Sequence, residues 1–121
     1  MEISIDELHS ALSVVNDYII NTKKLSKNDF DIEYEETRVK NDTHETILRF
    51  SEKGEFLYDI ETERTSKRTE QEYNYLENTY IFNVMFKSIE SSITFFGYDG
   101  KSFCLEIDKK TMQVVRELKF Q

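Results

Sequence analysis

At 121 residues the chain has the usual size of one domain, so residues 1–121 are read as a single folding unit around one core. Nine Phe and seven Tyr, with a good supply of Ile, Leu and Val, exclude the apolar-poor composition of disordered chains despite 33% charged residues. A net charge of −8 argues against direct nucleic-acid binding, which depends on cations replacing the counterions around phosphates.

The opening residues carry Glu2 and Asp6 and lack a basic segment followed by an apolar one, so no signal peptide is expected. No apolar run approaches the roughly 20 residues that cross a bilayer. Cys104 has no second cysteine to pair with, and the expected compartment is a reducing cytoplasm.

Ser4 and Glu7 have the spacing of a capping box and predict a helix start. Leu8, Ala11, Leu12, Val15, Tyr18 and Ile19 then recur at three and four residues, one apolar stripe on a helix of about four turns. Asn21 and Lys23-Lys24 mark its end, where positive charge suits the helix dipole.

Beyond a polar connection the period changes to two. Ile32 and Tyr34 alternate with Glu33 and Glu35, Leu48 and Phe50 flank Arg49, and Phe56, Tyr58 and Ile60 alternate with Leu57, Asp59 and Glu61. These segments predict half-buried strands, the second and third joined by a Ser51–Gly54 hairpin loop. Residues 62–78 read as the extended arms of a long hairpin, because Thr69, Gln71, Tyr73 and Tyr75 alternate, although Glu70, Glu72 and Leu76 would also tolerate a helix.

Four more strands are predicted at Tyr80–Phe86, Ile93–Tyr98, Ser102–Ile107 and Val114–Phe120, with turns at Asp99-Gly100 and Asp108–Thr111. The fold expected is therefore α+β: an N-terminal helix packed on a curved antiparallel sheet of about six or seven strands in a meander.

Residues 28–77 hold 15 acidic and 7 basic side chains, so the whole net charge of −8 belongs to the middle of the chain. By strand alternation Glu33 and Glu35 share one face, as do Asp59, Glu61 and Glu63, and carboxylates are expected to line an exposed sheet face. Such a surface suits a cationic partner, because like charges gathered together steer an opposite charge into contact. It also serves plain solubility and keeps edge strands apart. Tyr73 and Tyr75, set among Glu70, Glu72 and Glu77, add large contact area with polar tips.

Catalytic patterns are missing. The three glycines form neither a phosphate-binding loop nor a nucleophile elbow, and His9, His44 and Cys104 have no metal-ligand spacing. Cys104, between Phe103 and Leu105, reads as a small buried hydrophobe. Asn28–Asp31 lacks the glycine and distal glutamate of a calcium loop. No cofactor, no metal and no enzymatic activity are expected.

The Ile5–Ile20 helix, the acidic Glu33–Glu63 strands and the Asp99-Gly100 hairpin together are similar in character to the immunity proteins of bacterial contact-dependent toxin systems. That resemblance covers the whole chain without a diagnostic motif. It implies a protein that neutralises a cognate basic toxin, a nuclease for instance, by covering its active-site cleft. The residues expected to do so are Glu33, Glu35, Asp59, Glu61, Glu63, Glu70 and Glu72 for charge, with Tyr73 and Tyr75 as anchors; the protein itself is expected to be a monomer or weak homodimer. Two further readings use the same residues or none of them: a nucleic-acid-mimicking inhibitor of another enzyme, such as a phage-encoded one, and a small pocket-containing enzyme.

Overall fold

The computed structural model describes residues 3–87 and 101–119. The expected strand Ile93–Tyr98 and the Asp99-Gly100 turn lie outside the described residues.

Helix α1 spans Ile5–Asp17, with Ser4 as its N-cap, whose Oγ accepts from the Glu7 amide at 3.2 Å. The Glu7 carboxylate accepts from the Ser4 hydroxyl and, at 2.6 Å, from the hydroxyl of Tyr80, so the same residue caps the helix and ties it to the sheet. Leu8, Ala11, Leu12, Val15 and Ile19 are buried along the expected stripe. A wide turn over Tyr18–Thr22 follows, closed by the Lys23 amide on the Tyr18 carbonyl, and Lys24 at φ 58° ends the segment with the Leu25 amide on the Ile19 carbonyl.

Among the described residues six strands follow: β1 Phe30–Val39, β2 His44–Phe50, β3 Phe56–Glu63, β4 Thr79–Phe86, β5 Phe103–Asp108 and β6 Val114–Lys119. They form one antiparallel sheet in the order β3-β2-β1-β4-β5-β6. Two three-stranded meanders thus meet where β1 pairs with β4.

Helix α1 covers one face. Phe30, Ile32 and Tyr34 of β1, Leu48 and Phe50 of β2, Tyr80, Phe82 and Val84 of β4, and Phe103, Leu105 and Ile107 of β5 pack under it as a single core. Each fully buried side chain of this size stabilises the fold by about 1.5–3 kcal/mol. The rings of Tyr34 and Phe82 lie 5.3 Å apart, centroid to centroid, and those of Phe30 and Phe86 meet edge to face at 5.7 Å.

The connection from β3 to β4 must return from the sheet edge to a position beside β1, and it does so across the other face. Within it lies helix α2, Glu70–Glu77, where the alternation had suggested extended arms. The reason is local: Thr69 and Glu72 form a complete capping box, the Thr69 hydroxyl accepting from the Glu72 amide at 3.1 Å and the Glu72 carboxylate from the Thr69 amide at 2.8 Å. With α1 on one side and α2 on the other, β4 is buried on both faces from Thr79 to Val84.

Strand β3 departs from the half-buried expectation. Every residue in it except Thr62 is exposed, and none belongs to the core. It lies at the sheet margin and, among the described residues, is paired with β2 alone.

Candidate partner-binding surface

The face beneath α2 is polar, and its register explains why. One rung of the sheet runs Tyr58, Arg49, Glu35, Ile81, Glu106, Arg116 across all six strands. Charges of opposite sign are thereby set side by side. Arg49 places Nη2 3.0 Å from Glu35 and Nη1 3.4 Å from Glu33, while Asn83 donates to Glu35 at 3.0 Å and the Tyr58 hydroxyl to Glu33 at 3.3 Å. Arg116 donates to Glu106 at 2.8 Å and 3.3 Å.

Two carboxylates on this face are almost fully buried, Glu45 at 3% and Glu106 at 4% exposure. A buried carboxylate persists only when its oxygens are satisfied. Arg68 grips Glu45 with Nε and Nη2, and Glu106 takes the Tyr75 hydroxyl at 2.5 Å in addition to Arg116. Burial, and then the hydrogen bond to Glu106, push the Tyr75 hydroxyl up to about 12. These two clamps, one at each end of α2, hold it on the sheet as a strap, for no residue of the helix is itself buried.

Clefts open on both sides of the strap. The one of about 380 Å³ lies where β1 splays from β4 after Glu35, between Tyr73 and Leu76 of α2 and Thr37 and Val39 of β1. The other, of about 480 Å³, is bounded by Arg68, Glu72, Tyr75, Glu106 and Arg116. Cys104 lies on the same sheet face, and burial raises its thiol to about 12, with Glu106 and Glu35 adding to the shift. A thiol held there stays protonated at neutral pH. No group of three or more metal-ligating side chains occurs among the described residues.

The nine residues expected at the partner surface therefore separate. Glu33 and Glu35 point to the α2 face and are ion-paired with Arg49. Asp59, Glu61 and Glu63 stand opposite Leu48, Thr46 and His44, on the α1 side, so each set shares a face within its strand as alternation predicts, but the two sets lie on opposite faces and do not line a single one. Glu72 is committed to the helix cap and lies 3.8 Å from Arg64 and 3.9 Å from Arg68; the Thr69 amide first, then both guanidinium groups, hold its carboxyl below the ordinary range. Glu70 is exposed in the first turn of α2. Tyr73 walls the smaller cleft, and Tyr75 staples the strap.

Of the nine residues, the exposed carboxylates are Glu70 on α2 and Asp59, Glu61 and Glu63 on β3. Glu61 accepts from Lys40 at 3.0 Å and Thr46 at 3.1 Å, and the Lys40 bond leads in depressing its carboxyl. Glu63 is 4.0 Å from His44, with its side chain 76% exposed, and Asp59 is exposed beside them. Large apolar groups accompany these carboxylates: Phe56, Leu57, Tyr58 and Ile60 are 39–56% exposed. Sequence periodicity could not find this combination, because alternation marks a strand without saying which strand ends at the margin of the sheet.

No protein-family profile matches this chain, and neither a curated protein nor a solved structure is significantly similar to it.

Proposed function

We propose that this chain is a binding domain for a basic protein partner and that it meets that partner at β3. A single observation carries the reading: a strand bordered by β2 alone among the described residues presents Asp59, Glu61 and Glu63 on one face and exposed Tyr58 and Ile60 on the other. Proteins blunt such strands with charge, Pro or bulges; β3 lacks Lys and Pro, and its three carboxylates and the bulge near Leu57 repel a like-charged edge while leaving a cationic one admissible. Exposed aromatic and branched side chains supply contact area, while the carboxylates select a cationic surface and speed its approach. A basic toxin held inactive by the contact is the partner class that the resemblance to immunity proteins implies.

Glu33 and Glu35 share Arg49 at 15–18% side-chain exposure and contribute little to an outward field, whereas Glu61, paired with Lys40 at 2.9 Å, and Glu72, near Arg64 and Arg68, keep side chains 59% and 43% exposed. The acids proposed to meet the partner are thus those along β3, a smaller set than the whole middle segment of the chain. Affinity capture with the wild type and with Asp59→Lys/Glu61→Lys/Glu63→Lys tests this. A basic protein retained by the wild type and released by the triple variant supports the reading, and equal retention by both overturns it.

A further inference from the structure

The backbone of β3 is oriented for strand addition. The Arg64 amide donates to the Thr43 carbonyl at 2.6 Å, and the Lys40 amide to the His44 carbonyl at 2.9 Å. In an antiparallel ladder the N–H and C=O of one residue point the same way and alternate along the strand. Ile60 and Thr62 therefore turn their backbone groups toward β2, and Asp59, Glu61 and Glu63 turn theirs outward. The residues with outward-facing amides are the three that carry carboxylates.

We infer that β3 takes up an extended segment of a partner as a seventh strand, one with Lys or Arg at three alternate positions and β-branched or aromatic residues between them. This rests on the proposed basic-partner function and specifies how the partner is held. Residues directly opposite across a ladder share a sheet face. Side chains facing Asp59, Glu61 and Glu63 lie on the α1 side and need positive charge; those facing Tyr58, Ile60 and Thr62 lie on the α2 side and need apolar bulk. The extra residue at Leu57, between Tyr58 opposite Arg49 and Phe56 opposite Phe50, bends β3 and ends the regular ladder there, so the docking segment is about six residues long.

A second copy of the chain does not meet these requirements. Antiparallel pairing of β3 with itself sets carboxylates against carboxylates, because residues with outward backbone groups can stand only opposite one another, and each copy brings a net charge of −8. The opposite margin, β6, exposes Val115 and Leu118, but its Arg116 is committed to Glu106 and its Glu117 to Lys23.

The test uses the folded chain and a labelled octapeptide, acetyl-Thr-Lys-Val-Lys-Val-Lys-Val-Thr amide, followed by fluorescence anisotropy. The alternating peptide is expected to bind at least about tenfold more tightly than one of the same composition with its lysines contiguous. N-methylation of one alternate set of peptide amides should abolish binding and methylation of the other set should leave it, because one side of the added strand faces β3. In the protein, Glu61→Pro removes an outward amide without touching the β2 ladder and should weaken binding roughly tenfold, against roughly threefold for Glu61→Gln, which loses only charge.

Equal binding of the contiguous-lysine peptide, or indifference to both methylation patterns, would overturn strand addition in favour of charge adhesion alone. Concentration-dependent self-association through β3, read by sedimentation and lost in Glu61→Pro, would overturn it in favour of a second copy. If no peptide binds while a basic protein still needs Asp59, Glu61 and Glu63 for capture, strand addition fails and the basic-partner function stands.

Discussion

Arg49 stands directly opposite Glu35 across β1 and β2, its guanidinium 3.0 Å from that carboxylate and 3.4 Å from Glu33. The three side chains are 15–18% exposed, so solvent screens them only in part. Removing the cation leaves two carboxylates in that setting without it. Arg49→Met is expected to lower stability by about 1–3 kcal/mol in urea unfolding. Adding Glu33→Gln and Glu35→Gln should restore part of the loss, since the penalty arises from uncompensated charge; a triple variant less stable than Arg49→Met would show that the carboxylates stabilise the sheet by other means.

The strap makes a separable prediction. Thr69→Ala removes one half of the capping box and is expected to cost about 0.5–2 kcal/mol. Tyr75→Phe removes the hydroxyl that α2 donates to Glu106, a hydrogen bond to a charged group worth about 1.5–3 kcal/mol, while Arg116 still holds the carboxylate. Both substitutions should speed amide hydrogen exchange in Glu70–Glu77 and leave protection in β4 and β5 unchanged. Uniform loss of protection would mean that α2 and the sheet open as one unit.

These two sites also show what was legible in the sequence. Helix α1 was readable because its stripe of Leu8, Ala11, Leu12, Val15 and Ile19 faces a core that any sheet would supply. Helix α2 has no fully buried residue and no such stripe, so the signal for it was local, the Thr69-to-Glu72 capping spacing, which the alternation of Tyr73 and Tyr75 obscured. The acidic set was legible as composition and not as placement. Whether Glu33 and Glu61 share a face depends on pairing through β2, and whether either is neutralised depends on Arg49 and Lys40 arriving from elsewhere in the chain.

Three tyrosine hydroxyls predict the alkaline limit of the fold. Burial is the leading cause that raises Tyr18, Tyr75 and Tyr80 to about 12 from an ordinary 10.0, and carboxylates follow: Glu117, Glu106 and Glu7 each accept from one of these hydroxyls. An acid whose folded pKa is raised contributes stability that is complete below its unfolded pKa and is lost as pH rises toward the folded one. Stability should accordingly begin to fall near pH 9, where the raised Cys104 thiol first contributes, and fall further between 10 and 12 as these tyrosines do, with phenolate absorbance and loss of circular dichroism rising together. Tyrosines that ionise freely near pH 10 with the fold intact would contradict these three contacts.

Aromatic side chains on β3 should behave unlike those on β4. Phe82 is fully buried between Tyr34 and the underside of α1, and Phe82→Ala is expected to cost about 3–5 kcal/mol, because the removed ring leaves a cavity in a packed core. Phe56 is 56% exposed, with its ring 6.0 Å from that of Phe50, so Phe56→Ala should cost about 1 kcal/mol or less. The same comparison for Ile60→Thr against Ile107→Thr should give the same order, since Ile107 is buried and Ile60 is not. Paired urea titrations decide it. If the β3 substitutions prove as costly as those in the core, β3 serves the fold itself, and its apolar side chains lose the freedom that the proposed docking of a basic strand requires.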